Sequence, residues 1–302
     1  MRWYSNKAVQ EELADLMTNR EVIWSQYPRS NDKPFWARKT QCPNHPSVDY
    51  WLNTLNASYN SVGAFIGSNV INWEAMDCKP PPLRAKDFDR RDFAKIWNQY
   101  LTPKGCEERG VVWEDIWVAK TLVFDFDSPK NPIIAFKKAD RLCRYLKTLD
   151  LTPYIVFSGS KGFHVHLGIE DSEKMVGFKL ADFKHEKDPL KKIGKLYAAK
   201  VVELCNKASV SYADEDRSPN YRQGIIRCPY SIHPKTGQIV WPLDKKNLET
   251  LRQYDSLTVF EVAEKLHPWD IPCQSFIPKD CNFTYITPEF KIRGRGLVAW
   301  EA

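Results

Sequence analysis

The chain has 302 residues, of which 43% are hydrophobic and 27% charged, with 11 Trp, 13 Tyr and 15 Phe. That composition excludes the disordered and fibrous classes, and the length suffices for a buried core without disulfide staples. Lys and Arg outnumber Asp and Glu by 44 to 38, a net charge of +6, which favours polyanionic partners.

The longest apolar runs, such as VGAFIG at 62–67, fall far short of the ~20 residues that span a bilayer. No secretory leader is readable at the N-terminus. The expectation is an intracellular protein with no membrane contact, in the cytoplasm or nucleoid of a prokaryote or the nucleus of a eukaryote. Eight cysteines are scattered from Cys42 to Cys281, a spacing of buried thiols more than of a zinc or redox site.

Val9, Leu13, Leu16 and Met17 recur at helical spacing and predict a helix over 7–17. EVIW at 21–24 and PFWARK at 34–39 read as short strands. The proline-rich KPPPLR at 79–84 interrupts the N-terminal third. After Lys120 an apolar strand, TLVFDF, ends in the turn-forming DSPKNP. Phe136, Ala139, Leu142, Cys143, Leu146 and Leu149 then predict a helix, which Thr152 and Pro153 stop before the strand YIVFS. Beyond the turn GSKG, the segment FHVHLGI alternates, with Phe163, Val165 and Leu167 on one face and His164, His166 and Gly168 on the other. Leu190, Ile193, Leu196, Tyr197, Val201, Leu204 and Cys205 mark a second long helix, and FEVAEKL at 260–266 a short one. The order β-α-β-β-α predicts an α+β fold in which helices cover one side of a sheet.

Asp125 and Asp127 lie two apart on a strand, so their side chains leave one face with Cα atoms about 6.5 Å apart. Two carboxylates about 4 Å apart repel by roughly 4 kcal/mol at an effective dielectric of 20. Such a pair raises one pKa or recruits a cation. Mg²⁺ suits it, because that ion takes one or two carboxylates, keeps waters and completes its shell with substrate phosphates. The plainer alternative is a solvated strand end in a turn. Downstream, Ser158, Gly159, Ser160, Lys161, Gly162 and His164 form a turn suited to a phosphate: glycines admit the anion, hydroxyls and amides donate, and Lys161 adds charge. An ordinary glycine-rich hairpin is the competing reading. His166 shares the face of His164 and is a secondary candidate beside a packing role. A third cluster holds Asp214 and Asp216, followed by Arg222, Arg227, His233 and Lys235. Either acid could complete a metal site, and Arg227 and His233 could hold a polyphosphate; otherwise the cluster is a charged surface loop.

In this order the three segments resemble the catalytic signature of the archaeo-eukaryotic primase superfamily, in particular the primase small catalytic subunit and primase-polymerases. LVFDFD at 122–127 is similar to its first motif, Ser158, Gly159, Gly162 and His164 to its second, and IIRCPYSIHPKTG at 225–237 to its third. The resemblance implies Asp125, Asp127 and Asp214 as catalytic metal ligands, Asp216 being the alternative third acid. It implies Ser158 to Gly162, His164, Arg227 and His233 as nucleotide ligands, and Arg20 and Arg38 as fainter candidates. It further implies two Mg²⁺ or Mn²⁺ ions, NTP or dNTP substrates, a single-stranded DNA template, and a large primase subunit or a helicase as partner. The expected architecture is a primase-polymerase core over 1–243, with an N-terminal mixed α/β part at 1–117 and an RRM-like sheet at 118–243 bearing the acids. Residues 244–302 are expected to form an extension packed on that core. The family's zinc element has no place between the first two motifs, and Cys42, His45 and Cys78 lack a second close pair, so zinc is not expected. LVFDFD also resembles the nucleophile motif of haloacid-dehalogenase-type phosphatases, with Asp125 as nucleophile, but that reading gives KGFHVH and RCPYSIHPKTG no role. A non-catalytic nucleic-acid-binding module would need only the basic charge and the aromatics.

Overall fold

The computed structural model describes residues 3–17, 19–26, 35–37, 62–72, 75, 99–212, 216–222 and 224–266. Arg38, Cys42, His45, Cys78 and Asp214 lie outside the described residues. The predicted first helix is α1 (Lys7–Met17), which buries Val9, Leu13 and Met17. The strands β1 (Arg20–Gln26), β2 (Phe35–Ala37) and β3 (Val62–Ile71) follow, then the short helices α2 (Pro103–Glu107) and α3 (Trp113–Ile116) and strand β4 (Trp117–Lys120). The central unit comprises β5 (Val123–Asp127), α4 (Pro132–Thr148), β6 (Tyr154–Phe157), β7 (Gly162–His166), α5 (Ile169–Val176) and α6 (Pro189–Lys207). The chain continues through β8 (Ile225–Arg227), β9 (Trp241–Pro242), α7 (Lys245–Leu251) and α8 (Val259–Lys265). Asn131 and Asp188 cap α4 and α6 by accepting from Ile133 N and Lys191 N, each with proline at the first helical position.

These strands form two antiparallel sheets. One has the order β5-β7-β6-β9, so β7 lies between the two strands joined by α4. The other has the order β2-β1-β3-β4, and β8 pairs with β3 beside β4. Two elements expected within the RRM-like part, β4 and β8, therefore pair with β3, a strand of the N-terminal part. Strand β3 itself was legible only as an apolar run, because VGAFIGSNVI shows no clean alternation.

The two faces of the first sheet are distinct. Phe124, Phe126, Ile155, Phe157, Phe163 and Val165 are all at most 1% exposed, and α4 packs on β5, β6 and β7, its Phe136 ring 5.4 Å from that of Phe163. Burying side chains of this size contributes ~1.5–3 kcal/mol each. On the opposite face, where the alternation of β7 leaves His164 and His166, the strand is also covered: all five of its residues are buried. Tyr212 and Asn220 bond the edge of β5, while β8 joins the other sheet by pairing with β3. Beyond it, Arg252 Nη2 reaches Asp140 Oδ1 of α4 at 2.6 Å, and Leu251, Val262 and Leu266 are buried, tying the segment after residue 244 to α4.

Candidate active site

The acids and the glycine-serine turn meet through strand register. Asp125 lies opposite His164, and Asp127 opposite Gly162. Each carboxylate faces one donor from the turn or its strand: His164 Nε2 is 3.4 Å from Asp125 Oδ1, and Lys161 Nζ is 2.6 Å from Asp127 Oδ2. The hydrogen bond to Asp127 and the charges of Asp125 and Asp216 raise the pKa of Lys161. Only glycine fits at 162, since a Cβ there would lie 2.3 Å from both Asp127 Oδ1 and Phe126 O. Gly159 has φ +75, a left-handed conformation that disfavours other residues. Ser158 Oγ accepts from the amides of Gly162 at 3.2 Å and Ser160 at 3.4 Å, so it braces the turn and keeps its own O–H to donate.

The turn is joined to the third motif by contact. Thr236 Oγ1 donates to Gly159 O at 2.5 Å, and a Cβ on Gly159 would come within 2.8 Å of His233 Cβ. His233 Nδ1 accepts from the amides of Lys235 and Thr236, both at 3.3 Å. Its ring proton therefore sits on Nε2. Burial, with Arg227 and Lys235 nearby, brings the pKa of His233 down to about 3. Arg227 sits opposite Phe65 in the β3–β8 pair, its guanidinium 4.6 Å from the centroid of that ring.

His164 and His166 are 3% and 4% exposed. Burial is the main force holding His164 well below the usual imidazole range, with His166, Arg227 and His233 adding to it. Burial and Arg20 bring His166 down to about 3. His164 Nδ1 and His166 Nε2 have no hydrogen-bond partner among the described residues. Three neutral imidazoles thus line a region whose arginines repel further protons, and such a region attracts an anion.

The remaining predicted residues divide. Arg20 is buried, donates to Gly67 O at 3.0 Å and Thr121 Oγ1 at 3.4 Å, and acts on His166. Arg222 pairs with Asp188 at the start of α6, 3.3 Å away. The side chain of Lys235 is exposed. Asp216 is exposed too, and its carboxylate accepts from Ser218 N at 2.7 Å and Ser218 Oγ at 2.8 Å. Among the described residues, no group of three or more His, Cys, Asp and Glu is placed to hold a metal ion. Cys106, Cys143, Cys205 and Cys228 are buried free thiols, and no described helix is long and apolar enough to cross a membrane.

Sequence reasoning passed over Tyr212, Asn220 and Lys120. Tyr212 Oη accepts from Asp125 N, and the Asn220 side chain binds both backbone groups of Val123. Lys120 is 1% exposed and donates to Ser68 Oγ, Asn69 Oδ1 and Tyr221 O. Their neighbours in sequence carry no spacing signal; Tyr212 and Asn220 take their role from the edge of β5 that they bond, and Lys120 from its bonds to β3 and Tyr221.

The core is an antiparallel α+β fold with two acids at a strand end, beside a glycine-serine turn. The chain belongs to the family described as LigD, primase-polymerase domain, whose model matches residues 110–272, more than half of its length, and so to the primase superfamily its motifs resemble. It is 27% identical over 179 residues to the DNA primase small subunit PriS of Pyrobaculum aerophilum, a match covering 46% of this chain and 56% of that protein. It is 26% identical over 217 residues to PriS of Pyrobaculum arsenaticum, covering 55% of this chain and 68% of the relative. The chain thus spans little more than half the length of the first of these relatives. Among solved structures it is similar to the polymerase domain of Mycobacterium tuberculosis Ligase D in complex with DNA, at 14% identity and a TM-score of 0.49, over 87% of this chain and 85% of that one.

Proposed function

We propose that this chain is a template-directed nucleotidyltransferase of the primase-polymerase type, adding nucleotides from NTP or dNTP on single-stranded DNA during replication. The observation that carries the reading is the β5–β7 register, which puts Asp125 and Asp127 against His164 and Gly162 of the turn. Membership of the primase-polymerase family supports it.

In the reaction, a 3′-oxygen forms a bond to the α-phosphorus while the bond from that phosphorus to its β-bridging oxygen breaks, releasing pyrophosphate. Oxygen donors from two carboxylates on one strand face fit a hard divalent ion. Asp125 and Asp127, with an acid of the third cluster, would hold two Mg²⁺ or Mn²⁺ ions, which supply positive charge at the reacting phosphate. The engagement of Asp216 with Ser218 favours Asp214 as that third acid. The protein's own contribution is placement. The amides of the 158–162 turn, the Ser158 O–H, the His233 Nε2–H and the Arg227 guanidinium offer donors to the β- and γ-phosphates. With Asp127 engaged by an ion, Lys161 would be free to bond phosphate oxygens in place of that carboxylate. Because the imidazoles enter neutral, each keeps one N–H to donate to the polyphosphate.

Replacing Asp125 and Asp127 together by Ala is expected to abolish nucleotide incorporation, a loss of about 10³-fold or more for charge stabilisation at the reacting centre, with little change in thermal unfolding. Templated primer extension with Mg²⁺ or Mn²⁺ measures it, and undiminished synthesis would refute the reading.

A further inference from the structure

The outer edge of β5 is closed by side chains, with no strand beside it among the described residues. An edge strand turns the N–H and C=O of alternate residues outward, where they need partners. Here those residues are Val123 and Asp125. The Asn220 amide accepts from Val123 N and donates to Val123 O. At the next position Tyr212 Oη accepts from Asp125 N at 3.1 Å, and the same hydroxyl donates to Asp216 O at 2.9 Å. One oxygen atom therefore joins the backbone of the first acid to the backbone of the acidic third cluster. Tyr212 is 2% exposed, with its ring edge-on to Phe126 at 5.3 Å, so packing fixes where that oxygen sits.

We propose that Tyr212 is a positioning residue that holds the backbone at Asp216 against that at Asp125, and through that spacing sets the affinity of the site for a divalent ion. The proposal rests on the reading of the site given above. Carboxylates on separate chain segments bind an ion tightly only when the segments hold still relative to each other, and a hydroxyl that both accepts from one and donates to the other removes that freedom. Val123 has its own partner in Asn220, so the strand edge stays capped when the tyrosine oxygen is lost; what changes is the link at Asp125.

The variant Tyr212→Phe removes the oxygen and keeps the ring against Phe126. In the full chain, Mn²⁺ binding is read from the paramagnetic resonance signal of the free ion, and opening of the Asp125 amide from hydrogen exchange. Faster exchange at Asp125 is expected, together with Mn²⁺ affinity weakened by about tenfold, the low end for loss of a group that orients a ligand. Nucleotide incorporation should then need more Mn²⁺ for half-activation while recovering most of its kcat at saturating ion, a split that a general loss of folding would not give. Wild-type Mn²⁺ affinity in Tyr212→Phe would overturn the positioning role. Wild-type Mn²⁺ affinity in the Asp125→Ala, Asp127→Ala protein would instead overturn the reading of the site, so the two failures are separable.

Discussion

The two sheets divide the site between them in different ways. The sheet of β5, β7, β6 and β9 carries the acids and the turn, all within residues 123–166, and its contacts follow from the register of β7 between β5 and β6. The sheet built on β3 carries the arginines, and there Arg20 and Arg227 come from strands at opposite ends of the described sequence that share only their pairing with β3. The anionic half is local and stiff in its geometry; the cationic half is assembled from distant parts. Damage to the first should strike the chemistry, and damage to the second should strike ligand affinity or the joint between sheets.

The sharpest way to break the local half without touching a charge is Gly162→Ala. Its methyl group would lie 2.3 Å from Asp127 Oδ1 and Phe126 O, and displacement of a reacting group by about 1 Å costs on the order of 100-fold in rate. Single-turnover incorporation should show that loss in kcat, with nucleotide KM changed far less. A kcat near wild type would mean that the position of Asp127 does not matter.

Arg227→Ala tests the assembled half. Losing one charge-assisted contact of about 1.5–3 kcal/mol should raise the nucleotide KM roughly tenfold or more, with a smaller effect on kcat. Arg227→Lys should recover only part of it, because a lysine cannot reproduce the planar fork. Equal losses in kcat and KM would place Arg227 in the chemistry instead and blur the contrast between the sheets.

The smallest expected effect lies at the joint. Lys120 sits under Tyr197, with Nζ 5.8 Å from the ring centroid, and its three acceptors come from β3 and from Tyr221. Burial first, and the charge of Arg20 second, lower its pKa from 10.5 to about 7. The unfolded chain keeps this proton up to pH 10.5 while the folded protein releases it above about 7. The unfolded state therefore binds more protons in that window, and stability rises with pH there by at most about 1.4 kcal/mol per pH unit from this group. Below pH 7 the cost of the buried charge is fully present. Urea midpoints of the wild type and Lys120→Met at pH 7.5 and 9 measure it: the variant should lose this upward slope, and parallel slopes would count against a depressed pKa.

Much of the fold was readable because its elements obey short periods. The helices over 7–17, 132–148 and 189–207 followed from apolar spacing and end signals, and β5, β6 and β7 from apolar runs bounded by turns. Strand β3 was legible only as an apolar run because residues 63–71 are buried on both faces and so do not alternate. The covering of the histidine face was equally hidden, since alternation says which residues share a face and not what lies on it. In the site, Asp125, Asp127 and the 158–164 turn were legible as patterns, whereas Tyr212 and Asn220 owe their roles to an unpaired strand edge.

Alone, the sequence determined that two acids share a strand face and that a glycine-serine turn with a lysine and a histidine follows. A strand's two-residue period and glycine's freedom at positive φ are local properties of the backbone. Tertiary structure decided the rest: that Asp125 faces His164 and Asp127 faces Gly162, that burial, helped by Arg20 and Arg227, keeps the imidazoles neutral, and that His233 holds its proton on Nε2. Register, burial and electrostatic neighbours depend on which distant strands pair, and no spacing within one segment encodes that.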